Sequence, residues 1–309
     1  MGLRIRTNIA SLNSQRRLGI STNDLNDSSN KLASGKRINK AGDDAAGLAI
    51  SENLRADIRS LEQAQRNALD GVSLVQTAEG SLMETSNMLV RLRELAVQSA
   101  SDTIGNPERQ FINKEYVALK DEIDRIANST EFNGTRLLIG ADPSVQEELT
   151  NDQGTFPLEI QVGKDYFTNA DAKDNRNQVN IIKIDLENLN AFTTAEGLNL
   201  GVGEAEDGTL VNSKIKAQQA ISVLDSAILK VNDYRSYLGS IQNRLGSSIA
   251  NLGVQTENLS SAKSRIVDTD YASETAKYTS ASILQQAGSA VLAQANIQPQ
   301  VALNLLQNL

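Results

Sequence analysis

Residues 45–100 read AAGLAISENLRADIRSLEQAQRNALDGVSLVQTAEGSLMETSNMLVRLRELAVQSA, and their apolar residues recur every seven positions. The seven-residue ladder comprises Leu54, Leu61, Ala68, Val75, Leu82, Leu89 and Ala96, with Ile58, Val72, Ala78 and Leu92 at the intervening steps. This spacing is that of a coiled-coil seam and predicts one long helix. At about 1.5 Å per residue, a helix of this length extends on the order of 80 Å.

Two further helices are predicted beyond this stretch. The first follows the break at Gly105-Asn106-Pro107, where Ile112, Tyr116, Leu119, Ile123 and Ile126 have helical spacing. The second spans residues 212–266 and matches the first helix in length. Its seam comprises Ala217, Ile221, Leu224, Ile228, Val231, Leu238, Leu245, Ile249, Leu252, Leu259 and Ile266. Gly239, Gly246 and Gly253 also recur every seven residues, either to admit a neighbouring backbone or by chance.

The periodicity changes to two in residues 141–211, which predicts a small β-hairpin with loops. Phe156, Leu158, Ile160 and Val162 form one alternating run, and Ile182, Ile184 and Leu186 form the other. Residues 141–212 carry 14 acidic and four basic side chains, so this segment is expected to face solvent.

Both ends of the chain carry helical stripes that lack a core of their own. Residues 1–40 hold eight basic and two acidic side chains, whereas residues 278–309 hold no charged side chain at all. The stripe residues predicted to drive self-assembly are Ile5, Ile9, Leu12, Leu18, Leu25, Leu32, Leu284, Ala287, Val291, Ala295, Leu303, Leu305 and Leu306. A docked terminal helix and, for the basic arm, nucleic-acid binding are the alternatives. The basic arm contains no aromatic residue for base stacking, which favours a helical partner over nucleic acid.

Composition removes most enzyme classes. The chain has no Cys, His or Trp, so the usual zinc ligands and imidazole or thiolate catalysts are missing. Gly42-Asp43-Asp44 is more typical of a helix start than of a paired-carboxylate site. We therefore expect no catalytic, cofactor-binding or metal-binding residues. There is also no apolar run for a membrane span and no apolar central run for a cleavable signal peptide, so export is expected to use another route.

The sequence thus predicts a mainly α protein. Its fold is an antiparallel helical coiled-coil rod with a small β-hairpin and with the N- and C-terminal helices paired as a coiled coil. Five segments are expected: a terminal helix in 1–44, rod helices in 45–140, the hairpin in 141–211, the returning rod in 212–266, and the second terminal helix in 267–309.

Three stretches make this chain resemble bacterial flagellin closely. They are LASGKRINKAGDDAAGLAISENLRADIRSLEQAQRNALDGVSLVQTAEGSL at 32–82, EFNGTRLL at 131–138 and NRLGSSIANLGVQTENLSSAKSRIVDTDYASETAKYTSASILQQAGSAVLAQAN at 243–296. The resemblance covers about 140 residues at the front and about 90 at the back. It implies a self-assembling subunit of the extracellular flagellar filament, whose terminal helices line the inner tube.

The same resemblance implies partners. They are the flagellar type III export apparatus with its chaperone, the hook–filament junction and cap proteins, and a host Toll-like receptor. The family's receptor patch maps by motif onto Arg91 and Leu95 in LVRLRELAVQSA, and onto Glu115 in the next helix. The short 141–211 segment implies a minimal subunit without large outer domains. A junction protein, a filament-borne metalloenzyme and a membrane-active helix are the competing interpretations. The tail motif, the absence of His and the uncharged tail respectively disfavour them.

Overall fold

The computed structural model describes residues 7–140, 157–165, 179–186, 189–194, 197–201 and 209–307, with side chains given up to Ile297. In the described residues the helices are α1 (Ile9–Ser34), α2 (Ala45–Ser99), α3 (Asn106–Ser129), α4 (Lys214–Val267) and α5 (Tyr271–Gln307). The strands are β1 (Glu131–Phe132), β2 (Thr135–Arg136), β3 (Leu158–Gln161) and β4 (Ile181–Ile184). The predicted fold class, mainly α with a small antiparallel strand pair, is confirmed.

The chain forms two compact units. The terminal unit contains Met1–Ile58 and Glu257–Leu309, and the central unit contains Arg59–Thr256. Their boundaries fall inside α2 and α4, whereas the five predicted segments were divided at breaks between helices. The two units thus divide the chain at other positions than the five segments do, and the five-segment division remains a prediction.

The seven-residue ladder of α2 lies in the core of the central unit from Ala68 to Ala96. Ala68, Val75, Leu82 and Leu89 are fully buried, as is Leu92, which follows them at an intervening step. The seam continues on α4, where the ladder positions from Ala217 to Leu245 lie in the same core cluster. A coiled-coil period buries one stripe of each helix and leaves the rest of its surface in water, which accounts for this distribution.

Within a single chain, the three regularly spaced glycines of α4 do not admit a neighbouring backbone of the described residues. A Cβ added to Gly239, Gly246 or Gly253 would have nothing within 4 Å, so no described backbone packs against them. Close approach does occur at Gly71 on α2, where an added Cβ would collide with the end of the Ile160 side chain. Gly71 therefore makes room for β3.

A buried arginine fixes the corner between α2 and α3. Gly105 is the N-cap of α3 and Pro107 occupies its first turn, where a missing N–H is tolerated. The Arg109 guanidinium, 7% exposed, donates to the carbonyl oxygens of Ser99 and Ser101, both at 2.9 Å. These carbonyls lie at the C-terminal end of α2, where a cation is favourable.

Two antiparallel strand pairs follow α3. β1 and β2 join through Asn133 and Gly134, which have φ of 51° and 79°, the left-handed conformation that tight hairpins need. β3 and β4 pair with Leu158 opposite Ile184 and Gln161 opposite Ile181. The predicted strand pair is confirmed, although Phe156 lies outside the described residues.

Polar contacts join Thr193 and Thr209, which follow β4 in the chain, to α3. The Asp124 carboxylate accepts hydrogen bonds from the backbone N and the hydroxyl of Thr193, both at 2.8 Å. Burial nevertheless raises the pKa of Asp124. The Tyr116 hydroxyl donates to Thr209 at 2.9 Å, and burial raises the pKa of Tyr116 to about 12. These contacts complete the central unit.

Candidate assembly surface

Short connectors bring α1 and α5 together in the terminal unit. The Arg37 backbone N donates to the Val267 carbonyl at 2.6 Å, and the Thr269 N donates to the Gly35 carbonyl at 3.0 Å. Gly35 ends α1 with φ of 70°, a conformation that favours glycine. The segment that follows α1 therefore pairs with the segment between α4 and α5, which places the end of α1 beside the start of α5.

The two terminal helices run antiparallel along their lengths. The Ser28 hydroxyl lies near the start of α5 at Glu274, the Leu18 side chain lies against Gly288, and Asn8 Nδ2 donates to the Ala295 carbonyl at 2.8 Å. The predicted pairing of the N- and C-terminal helices is confirmed.

The seam between these helices combines leucines with small and polar residues. Leu18, Leu25 and Leu32 of α1 are half-buried, whereas Ala281 and Ala295 of α5 are buried. A Cβ added to Gly288 would lie 3.3 Å from Leu18 Cδ1, so this glycine accommodates the leucine. The seam is thin because it buries few large side chains.

One carboxylate is buried in this seam. Glu274, 6% exposed, accepts a hydrogen bond from the Ser28 hydroxyl at 2.8 Å and pairs with Lys277 at 3.0 Å. Burial alone would raise the pKa of Glu274, but the hydrogen bonds from Lys277 and Ser28 lower it below its ordinary value of 4.5. Glu274 is therefore held as a carboxylate.

The predicted self-assembly residues fall into two groups. Leu18, Leu25, Leu32 and Ala295 belong to the seam within the chain. The group that faces solvent comprises Ile9 (60% exposed), Leu12 (57%), Leu284 (59%) and Val291 (56%), together with the exposed Ala287. Ile5 and the side chains of Leu303, Leu305 and Leu306 lie outside the described residues.

Sequence reasoning missed several residues of both groups. Ile20, Ile283 and Ile297 are also exposed apolar residues of α1 and α5, because a single stripe was traced on each helix. With Ile9, Leu12, Leu284 and Val291 they form what we call the outer apolar set. The polar seam residues Ser28 and Glu274 were missed as well. The regular spacing of Ser14, Ser21 and Ser28 along the leucine stripe was an available signal.

The outer apolar set of α5 has no charged neighbour downstream of Lys277, since residues 278–309 are uncharged. None of the helices within the described ranges is both long and apolar enough to cross a membrane. Nor do the acidic side chains of those ranges gather into a group that could hold a metal ion. Several large apolar side chains exposed on one pair of helices are typical of a surface that another protein covers.

The residues of the proposed receptor patch lie together in the central unit. Arg91 Nη2 is 2.8 Å from Glu115 Oε1, and Arg91 Nη1 is 3.0 Å from Glu94 Oε2. The hydrogen bond to Glu115 raises the pKa of Arg91 further above its ordinary value. Leu95 is 1% exposed and belongs to the core of the central unit, whereas the side chains of Arg91 and Glu115 are about half exposed.

Comparison with known proteins identifies the family. The model of the bacterial flagellin N-terminal helical region matches residues 5–142, and that of the bacterial flagellin C-terminal helical region matches residues 221–306. A flagellin of Halalkalibacterium halodurans is 42% identical over 305 residues, covering 98% of this chain and 99% of the relative. A Bacillus subtilis flagellin is 41% identical over 319 residues, covering 99% of this chain and 100% of the relative.

A structure of a putative flagellar hook-associated protein from Vibrio parahaemolyticus resembles this fold. It has a TM-score of 0.56 and 14% sequence identity, and the match covers 73% of this chain and 100% of that one. At this identity the likeness concerns the fold alone.

This chain belongs to the bacterial flagellin family. It is a compact structural subunit of the bacterial flagellar filament, which serves swimming motility. Membership of this family implies self-assembly into a filament and an extracellular flagellar location.

Proposed function

We propose that this flagellin polymerises through the outer apolar set of α1 and α5. The observation that carries the proposal is the exposure of Ile9, Leu12, Leu284 and Val291, between 56% and 60%, on helices whose seam leucines and alanines already pack against each other. Fully burying one such side chain contributes about 1.5–3 kcal/mol. The same gain would recur at every subunit of a polymer.

The remaining predicted residues support this contact from within the chain. Leu18, Leu25, Leu32 and Ala295 join α1 to α5, so that the two helices present their outer residues together. Ile5, Leu303, Leu305 and Leu306 extend the apolar character toward both termini. The pair therefore acts as one assembly element.

The five segments are assigned to radial positions in the filament. Segments 1–44 and 267–309 would form its inner wall, and segments 45–140 and 212–266 the next layer. Segment 141–211 would face outward, because its excess of acidic side chains is best solvated there. Such a subunit has a scaffolding role and no catalytic one.

Export and contacts with other flagellar proteins complete the proposal. A chain without Cys can be exported unfolded through the type III apparatus with no risk of wrong disulfides. The uncharged 278–309 segment would need a cytoplasmic chaperone until assembly, since Ile283, Leu284 and Val291 are exposed apolar residues within it. The outer apolar set would also contact the hook–filament junction and cap proteins at the two filament ends.

Arg91 and Glu115 are proposed as the polar part of a contact with a host Toll-like receptor. Both are about half exposed, and each already has a charge partner within the chain. Leu95 would support the patch from below.

The assembly contact is tested by Val291→Asp. An unpaired carboxylate buried at each repeat costs several kcal/mol per subunit. We expect seeded polymerisation to fail or the critical concentration to rise roughly tenfold or more. Thermal unfolding of the purified monomer should not change, because Val291 is 56% exposed there.

Gln286→Glu provides the control, since it adds one charge at an exposed polar position of the same helix. It should polymerise as the parent chain does. Normal filaments from Val291→Asp would remove this residue from the assembly contact. Equal failure of both variants would show that the uncharged tail as a whole, and not the outer apolar set, controls assembly.

A further inference from the structure

The seam of α1 has a repeating pattern. Half-buried or buried serines and leucines alternate along it as Ser14, Leu18, Ser21, Leu25, Ser28 and Leu32. Such a repeat offers similar apolar contacts when one helix slides along the other. Apolar burial therefore specifies the register of the α1–α5 pair only weakly.

The facing helix α5 presents a single charged residue to this repeating seam. Among the buried and half-buried residues of α5 through Ile297, only Glu274 carries a charge. One carboxylate oxygen accepts the Ser28 hydroxyl at 2.8 Å, and the other pairs with the exposed Lys277 on the same helix. Ser28 is thus the α1 residue that donates a hydrogen bond to this buried group, and Lys31 of α1 adds a favourable charge nearby.

We propose that the Ser28–Glu274 contact selects the register in which α1 and α5 pair. A shift by one helical turn brings Leu25 or Leu32 against the carboxylate in place of Ser28. The carboxylate then loses its hydroxyl donor while it stays away from water, and a buried polar group without its partner is disfavoured. Single polar residues in coiled-coil seams specify register in the same way.

A second contact disfavours the same shift. Leu18 lies on Gly288, where even a methyl group would approach Leu18 Cδ1 to 3.3 Å. After a one-turn shift Leu18 meets Gln285 or Leu292 instead, and the space beside Gly288 is no longer filled by it. Polar and steric contacts therefore favour one register.

This inference goes beyond the proposed assembly contact, because it concerns pairing within one chain. Disulfide cross-linking between introduced cysteines can measure the register of the α1–α5 pair, since the chain contains no Cys of its own. Ser11→Cys with Asn296→Cys reports the native register, because Ser11 Oγ lies 2.8 Å from Asn296 Oδ1. Ser11→Cys with Leu292→Cys reports a one-turn shift.

The decisive variant is Ser28→Ala with Glu274→Leu. It removes both polar partners and leaves neither one unsatisfied, so pairing should persist. We expect the ratio of native to shifted cross-link to fall roughly tenfold or more, since register specificity is lost. Glu274→Gln keeps an acceptor for Ser28 and should keep this ratio within about twofold.

A second variant exchanges the two seam residues, as Leu25→Ser with Ser28→Leu. It keeps the composition but moves the hydroxyl, so the Leu292 cross-link should become the major product. A predominantly native cross-link in both variants would overturn the proposal, because the connectors at Gly35 and Thr269 would then suffice to set the register. Loss of all cross-links in the first variant would also overturn the proposal. It would show that the Ser28–Glu274 contact is needed for α1 and α5 to pair at all, and not for the choice of register.

Discussion

Two arginines of α2 form similar surface ion pairs with two different helices. Arg91 and Arg93 are 50% and 46% exposed, and each pairs with a carboxylate outside α2. Arg91 pairs with Glu115 of α3, whereas Arg93 pairs with Asp225 of α4 at 2.6 Å. Only Arg91 belongs to the proposed receptor patch, so the pair offers a matched comparison.

We expect Arg91→Ala to reduce activation of a Toll-like receptor reporter by roughly tenfold or more, equivalent to about 1.4 kcal/mol of binding. Arg93→Ala should leave activation within about threefold, because it changes a similar surface ion pair elsewhere on the helix. Both variants should lose less than about 1 kcal/mol of unfolding free energy. Equal activation by the two variants would argue against the patch.

The sequence predicts buried apolar residues better than buried polar ones. Leu82 and Leu89 follow directly from the seven-residue period, because burial of one stripe is what stabilises such a helix. Glu274 has no such signal. Whether an acid in an amphipathic helix is buried depends on the partner that faces it, and Ser28 is 246 residues away in sequence.

At the scale of elements, the glycines of α2 and α4 differ in what surrounds them. Gly246 of α4 has open space where a side chain would lie, whereas Gly71 of α2 faces Ile160 of β3. Alanine is favoured over glycine within a helix by about 1 kcal/mol. The surroundings decide whether that gain is realised.

We expect Gly246→Ala to raise the free energy of unfolding of the monomer by about 1 kcal/mol and its melting temperature by about 2–4 °C. Gly71→Ala should gain less or be destabilising, because the Ile160 side chain must move. Thermal denaturation of both variants measures this. A destabilising Gly246→Ala would show that a neighbouring group does pack against α4 there.

The helices were predictable because their signals are long and redundant, and α2 begins and ends within one residue of its predicted bounds. The β1–β2 hairpin was not predicted, since each strand has only two residues and carries no period. Its turn residues Asn133 and Gly134 were the available signal. The outer residues Ile283 and Ile297 were missed because only one apolar stripe was traced on α5. Apolar residues on its other faces were therefore left out.

At the scale of the whole molecule, the two units differ in how they bury apolar residues. The central unit covers its own core, which includes the ladder from Ala68 to Ala96. The terminal unit has a thin seam and leaves the outer apolar set in contact with solvent. We expect a monomer of this kind to gain stability when copies of the chain cover that set.

Single-cysteine labelling tests this claim directly, because the chain has no Cys of its own. Val291→Cys and Val179→Cys replace residues that are 56% and 79% exposed in the single chain, the first in α5 and the second in the segment proposed to face outward. The measurement is the rate of maleimide labelling at each position in monomers and in seeded filaments. We expect fast labelling of both cysteines in monomers, and in filaments a loss of labelling at Val291→Cys alone. Continued fast labelling of Val291→Cys within filaments would contradict it.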